Sequence, residues 1–166
     1  MGPGRWVPAY VALGSNLDEP RLQVERAMAA LGELPESRCV LGSSLYRSRP
    51  LGPVQQPDFV NAVAGLITAL EPAALLRELQ ALEARLGRDR PAVHWGPRRI
   101  DLDLLVYGAV RICRPGLELP HPGIAERAFV LVPLAEIAPD LVVPGVGRVT
   151  ELVARVDSTD LRRLAT

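Results

Sequence analysis

The chain has 166 residues, 48% of them hydrophobic, a size and composition that fit one domain, residues 1–166, with a real core. Lys+Arg and Asp+Glu are both 19, so no global charge favours a nucleic acid or an anionic membrane as partner. Every basic residue is Arg, which excludes a Walker-type lysine and a Schiff base and leaves arginine, backbone or metal to hold any bound phosphate.

The N-terminal MGPGRWVPAY has no long apolar leader, and no apolar run in the chain approaches the roughly 20 residues that span a bilayer, so a soluble cytoplasmic protein is expected. Trp6 to Leu13 reads as a buried strand stopped by the turn Gly14-Ser15-Asn16. Pro20 to Leu34 follows with Leu22, Ala27, Ala30, Leu31 and Leu34 at helical spacing and Asp18 and Glu19 at its start. Val40 to Tyr46 and Phe59 to Leu70 read as strands, separated by a Pro- and Gly-rich loop, Pro50 to Pro57. The cysteines, Cys39 and Cys113, are far apart without neighbouring histidine, so inert thiols are expected rather than a zinc knuckle or a disulfide.

A second helix opens at Pro72, carries Leu75, Leu76, Leu79, Leu82 and Leu86 on one stripe with Gln80 and Glu83 opposite, and stops at Gly87. The Arg-dense connection Arg88 to Arg99 leads to a strand, Ile100 to Tyr107, which Gly108-Ala109 turns into a return strand near Val110 to Cys113. A loop at Leu119 to Gly123, a helix at Ala128 to Ile137 and a weaker helix at Thr150 to Val156 complete the chain. The order strand, helix, strand, strand, helix, strand predicts an α+β ferredoxin-like sandwich, an antiparallel sheet with its two main helices on one face. That fold serves many functions, so the function must come from the sites.

In Arg98-Arg99-Ile100-Asp101-Leu102-Asp103-Leu104, strand alternation puts Ile100, Leu102 and Leu104 on one face and both aspartates on the other, with α-carbons ~6–7 Å apart. Carboxylates that close repel unless a cation intervenes, and a divalent metal beside arginines suits Mg²⁺-nucleotide chemistry. The spacing alone favours an exposed strand face paired to Arg98 or Arg99, and the Arg-dense loop beside it brings the two readings level. Arg88, Arg90 and Arg98 surround Pro91, His94, Trp95, Gly96 and Pro97, a mixture suited to folding over a triphosphate or, as a bland alternative, to a solvated loop with Trp95 in the core.

The string HWGPRRIDLDLLVYG resembles the signature R-W-G-P-R-x-x-D-x-D of the hydroxymethyldihydropterin pyrophosphokinases, with His94 in place of its first Arg. VALGSNL, LYRSRPLGPVQQPDFVNAV, LEARLGR and LPHPGIAERAFVLVPLAEIAPDL resemble further blocks of that family in its order and spacing, over roughly Tyr10 to Leu141. The resemblance implies transfer of pyrophosphate from MgATP to 6-hydroxymethyl-7,8-dihydropterin, with AMP as coproduct, in folate biosynthesis. It implies that Asp101 and Asp103 ligate two Mg²⁺ ions, that Arg88 and Arg98 contact the phosphates as catalytic residues, and that Arg90 and Trp95 lie on a closing loop. Gln80, Glu83, His121 and Arg127 are implied on the nucleotide side. Phe59 and Phe129 correspond to two rings that sandwich the pterin, Asn61 to the side chain that bonds its edge, and Ser48, Leu51, Gly52 and Trp95 to the rest of that pocket. Without the resemblance, Phe59 and Phe129 read as ordinary core aromatics, whereas an Asn in an apolar strand needs partners. The chain departs from the family pattern at Pro91, His94, Gly116, where an Arg is frequent, and Pro122; Arg114 is a candidate to replace the charge missing at Gly116.

The resemblance also implies a monomer. Two rival classes are a nucleotidyltransferase, suggested by Gly14-Ser15 with D-x-D, and a ferredoxin-like RNA-binding module. In the first the elements lie close together, whereas here most of the chain separates them; the second lacks an aromatic string on a strand and a net positive charge.

Overall fold

Period-two alternation along Val7–Ser15 buries Ala9, Val11 and Leu13 completely or nearly so, and this strand becomes an interior strand of the sheet. The computed structural model describes residues 5–87 and 99–165. In chain order these form β1 (Val7–Ser15), α1 (Pro20–Leu31), β2 (Ser37–Gly42), β3 (Tyr46–Ser48), β4 (Phe59–Thr68), α2 (Pro72–Arg85), β5 (Asp101–Tyr107), β6 (Ile112–Arg114) and β7 (Leu117–Leu119). A 3-10 turn at Ile124–Glu126, α3 (Ala128–Ile137), β8 (Val142–Val143), β9 (Gly147–Arg148), α4 (Val149–Val153) and β10 (Arg162–Arg163) follow. The main sheet has the order β10-β3-β4-β1-β5, with β2 beside β3 on the same edge of β4, and its pairs are antiparallel.

The expected α+β sandwich is present, with a second layer that the element order did not predict. One sheet face, carrying Ala9, Val11, Leu13, Val60, Ala62, Ala64 and Leu66, packs against Val24, Ala27 and Leu31 of α1 and Leu75, Leu79 and Leu82 of α2. The other face, carrying Val63, Leu105 and Val106, packs against Val130, Leu131 and Leu134 of α3 and Leu152 of α4. Both faces of β4 are therefore covered, which explains its nearly continuous burial. No helix among the described residues is long and apolar enough to cross a membrane.

Three local expectations need correction. Val40 to Tyr46 is not one strand: β2 ends at Gly42, and its pairing with β4 slips by a residue at Cys39/Leu41 and by another before Tyr46. At the interruption Ser43 takes over, its backbone N–H donating to Val63 O and its hydroxyl accepting from Val63 N–H, each at 2.9 Å. Val110 to Cys113 does not return along β5; Ile112–Arg114 forms its own ribbon with Leu117–Leu119. In α1, Leu22 points to solvent at 46% exposure, and Gln23 and Val24 take the buried stripe instead.

Gly87 ends α2 with φ +96, and its carbonyl accepts a hydrogen bond from Arg99 Nη1 at 3.0 Å. The same guanidinium reaches Asp18 Oδ2 from Nε at 2.9 Å and from Nη2 at 2.8 Å, tying the end of α2 to the β1–α1 turn. A Cβ at Gly87 would lie 2.4 Å from Arg99 Nη1, whereas at Gly116 (φ +80) it would meet nothing within 4 Å. Gly87→Ala is therefore expected to lower unfolding free energy in urea by about 2 kcal/mol and Gly116→Ala by about 1, because only the first adds the loss of the Arg99 clip to backbone strain. Equal losses would show that the clip contributes nothing.

Candidate active site

The register of three strands builds the site. Gly14 of β1 lies opposite Asp101 of β5 on one side and Asn61 of β4 on the other, and Asn61 lies opposite Tyr46 of β3. Directly opposed residues share a face, so Asp101, Gly14, Asn61 and Tyr46 form a row on the α3 side of the sheet. The neighbouring row is Asp103, Ala12 and Val63. With strands ~4.8 Å apart, Asp101 and Asn61 stand roughly 10 Å apart with no side chain between them. A Cβ at Gly14 would sit 3.3 Å from Asn61 Oδ1 and 3.9 Å from Phe59 Cδ1. Gly14 therefore keeps the floor of this end of the sheet low, while α3 covers the same face further along at Val63, Leu105 and Val106.

Asp103 is exposed and Asp101 half-buried, on the face opposite buried Ile100, Leu102 and Leu104, as the alternation predicts. On the far side of the floor Asn61, 4% exposed, donates from Nδ2 to Ser48 Oγ at 2.6 Å. Ser48 lies opposite half-buried Phe59. Leu51 and Gly52, the latter with φ +85, are exposed on the 49–58 connection. That connection is tied to the end of β1 by Asn16, which sequence reasoning passed over as part of a turn. Asn16 is 2% exposed and donates from Nδ2 to Gln56 Oε1 at 2.8 Å and Pro57 O at 3.0 Å. The signal was available: a short polar side chain directly after a buried strand needs hydrogen-bond partners.

Glu83 does not share the exposed side of α2 with Gln80. Gln80 is exposed, but Glu83 is 6% exposed and its Oε2 accepts the Leu102 backbone N–H at 2.7 Å. The charge-assisted bond falls on the strand residue between the two aspartates and closes the outer edge of β5. Three residues further, the Leu105 carbonyl on that edge accepts the His121 N–H at 2.8 Å.

His121 Nδ1 accepts the Gly123 N–H at 3.1 Å, which leaves the proton of a neutral ring on Nε2. Burial, and then the nearby Arg127 charge, push its pKa below 6.5, against an opposing pull from Glu118. The Arg127 guanidinium lies 5.9 Å from the centroid of the Phe129 ring, and a Cβ at Gly123 would come 2.6 Å from Arg127 Nε. Arg127 thus links His121 to half-buried Phe129 at the start of α3. Arg88, Arg90, Trp95 and Arg98, with Pro91 and His94, lie outside the described residues. Gly116 is explained by its positive φ in the β6–β7 turn. Arg114 lines a surface groove with Arg5, Glu71 and Tyr107, at the end of β5 away from the aspartates.

The donor set suits magnesium. Among the described residues no group of three or more His, Cys, Asp or Glu gathers as a metal cage. Two hard carboxylates on one strand face fit an ion that keeps water and takes phosphate oxygens as its other ligands.

A histidine whose folded pKa is depressed binds its proton more readily when unfolded. Its effect on stability is therefore absent above pH 6.5, and stability falls as the pH drops from 6.5 towards the folded value. The His121 ring resonance should titrate below pH 6.5, and Arg127→Gln should move that midpoint upward; a midpoint at or above 6.5 would refute the buried, neutral placement.

The family model of 7,8-dihydro-6-hydroxymethylpterin-pyrophosphokinase matches residues 10–139. The chain is 50% identical over 155 residues to the 2-amino-4-hydroxy-6-hydroxymethyldihydropteridine pyrophosphokinase of Pseudomonas aeruginosa, covering 93% of this chain and 95% of that one. Identity to the enzyme of the same name from Haemophilus influenzae is 49% over 147 residues, with coverage of 89% and 91%. Among solved structures, an HPPK-DHPS in complex with substrates superposes with a TM-score of 0.75 at 12% identity, covering 96% of this chain and 47% of that chain. The Plasmodium falciparum wild-type HPPK-DHPS gives 0.70 at 13%, covering 91% and 41%. The chain spans less than half the length of these two solved chains, and at such identity they bear on the fold alone. The length and identity of the bacterial matches, together with the family model, show that this chain belongs to the 7,8-dihydro-6-hydroxymethylpterin-pyrophosphokinase family, ATP-dependent enzymes that transfer pyrophosphate to hydroxymethyldihydropterin in folate biosynthesis.

Proposed function

We propose that the transfer takes place on the sheet face floored by Gly14, with the triphosphate at Asp101 and Asp103 and the pterin at Asn61. The row Asp101, Gly14, Asn61 carries this reading, because it sets one carboxylate, with Asp103 in the row beside it, and a buried amide on either side of a glycine gap. A flat pterin between Phe59 and Phe129 would offer its polar edge to Asn61, held in orientation by Ser48, with Leu51, Gly52 and Trp95 completing the pocket. Its hydroxymethyl oxygen attacks the β-phosphorus of ATP in line; the bond from that phosphorus to the α-phosphate oxygen breaks, AMP leaves, and the pyrophosphoryl group stays on the pterin.

Two Mg²⁺ ions held by Asp101 and Asp103 would neutralise phosphate charge and act as Lewis acids. Glu83 fixes the strand between the aspartates through the Leu102 N–H, so the two carboxylates need not reorganise on binding. His121, neutral with its proton on Nε2, is a donor for a phosphate oxygen, and Arg127 adds charge beside it. Gln80 is assigned to the nucleotide side, Arg88 and Arg98 to the phosphates, and Arg90 with Trp95 to covering the bound substrates. No described side chain beside the aspartates is placed as a general base, so catalysis is assigned to positioning and electrostatics. The same reading takes residues 1–166 as one domain acting as a monomer.

The deciding measurement is chromatography of the nucleotide products after mixing protein, ATP, Mg²⁺ and 6-hydroxymethyl-7,8-dihydropterin. Pterin-dependent AMP in equal amount to a pterin pyrophosphate is expected, whereas release of inorganic pyrophosphate would mean attack at the α-phosphorus and a nucleotidyltransferase. Asp103→Ala, at an exposed position, should keep the fold by circular dichroism and lose about 10³-fold or more in turnover at saturating Mg²⁺. Undiminished turnover in that variant would sink the assignment of the metal site.

A further inference from the structure

Glu136, near the end of α3, gathers more hydrogen bonds than the machinery described above requires. Its Oε1 accepts from the Tyr46 hydroxyl at 2.6 Å, its Oε2 from the Ser44 hydroxyl at 2.9 Å, and the Ser44 backbone N–H points at both oxygens, 3.1 and 3.0 Å away. Arg163 of β10 approaches Oε2 at 3.9 Å. The side chain is 27% exposed, yet it is surrounded by donors from two separate parts of the chain, Ser44 with Tyr46 and Arg163. Ser44 sits in the interruption between β2 and β3, where the ladder with β4 has slipped and the backbone has lost its regular partners. Tyr46, 7% exposed, is the residue directly opposite Asn61. Burial works to raise the Glu136 pKa, but the bonds from Tyr46 and Ser44, with Arg163, outweigh it and hold the carboxyl below its ordinary value. Tyr46 is pushed up to about 12, by burial and then by Glu136, so the pair is a phenol donating to a carboxylate at neutral pH.

The two ends of this clamp lead to opposite walls of the same pocket. Seven residues before Glu136, two helical turns or ~10.5 Å along α3 and on the same side of the helix, stands Phe129. Two residues after Tyr46, on the same strand face, stands Ser48, the partner of Asn61. We propose that Glu136 is a positioning residue for the pterin: by locking α3 to the start of β3 it sets the spacing between the Phe129 ring and the Ser48–Asn61 pair. The proposal rests on the placement of the pterin at Asn61. It makes Glu136 a determinant of pterin affinity rather than of the phosphates, which lie across the floor at β5.

The test compares Glu136→Ala, Glu136→Gln, Tyr46→Phe and Asn61→Ala in steady-state kinetics with each substrate varied in turn, with circular dichroism and thermal melts on each variant. Glu136→Ala should raise the KM for the pterin alcohol about tenfold while kcat and the KM for ATP stay within about threefold. Glu136→Gln keeps one acceptor oxygen for Tyr46 and should recover part of the loss, and Tyr46→Phe should reproduce a smaller part of it. If Asn61→Ala raises the pterin KM while folded Glu136→Ala and Glu136→Gln leave it unchanged, the positioning role is wrong and the pocket stands. Unchanged pterin KM in Asn61→Ala would overturn the pocket and this inference together. Equal rises in both KM values for the Glu136 variants would mean a structural role only, and would also overturn it. Should Glu136→Ala fail to fold, the Gln and Tyr46→Phe variants decide by the same split.

Discussion

Strand β1 is hydrogen-bonded to β4 on one side and β5 on the other, and the proposed site depends on the register of both ladders. Side chains alternate, so a slip of one residue along β5 would turn Asp101 and Asp103 into the layer packed on α1 and α2 and bring Leu102 out in their place. The register is held where it is because the apolar set Ala9, Val11 and Leu13 has a single face that can be buried against those helices. It also tolerates one irregularity: Leu105 is an extra residue between the pairs Val11↔Leu104 and Tyr10↔Val106. Beyond that bulge β5 contributes Leu105 and Val106 to the α3 core, so one strand serves the site at one end and packing at the other.

The polar groups around the site share a physical logic. Each closes a backbone or side-chain valence that a sheet edge or a chain break has opened, and leaving such a group unpaired when buried costs about 1–3 kcal/mol. Glu83 takes the Leu102 N–H on the free edge of β5, Asn16 ties the connection before β4 to β1, Ser43 replaces ladder bonds at the break after β2, and Glu136 receives Ser44 and Tyr46. The fixed orientation of Asn61, bonded to Ser48, and of the two aspartates follows from neighbours that are themselves held, which suits the proposed reliance on positioning rather than proton transfer.

The opposed charges are distributed across that face rather than along the chain. The aspartates stand at the β5 side, His121 bonds the outer edge of β5 and Arg127 lies near it, so in the proposed reading a phosphate would find cationic and donor groups on one flank. The β3 side offers the neutral Asn61 and Ser48 and the ring of Phe59. A net charge of zero is thus compatible with a strongly polarised site, because arrangement and not composition sets the local field.

The sequence by itself determined the antiparallel α+β order, the exposed face of the D-x-D strand, the turn at Gly87 and, through its motif blocks, the family. These are local properties: period-two and period-3.6 patterns, glycine at positive φ, and short strings at fixed spacing. Tertiary structure alone decided that α3 covers the second sheet face, that Val40 to Tyr46 breaks into two strands, and that Glu83 turns inward to Leu102 rather than outward beside Gln80. It also decided that Asn16 is buried and that Gly14 leaves the gap between Asp101 and Asn61. Each of those features depends on a partner 19 or more residues away, and a pattern of neighbours along the chain carries no information about which distant backbone group will come to need a hydrogen bond.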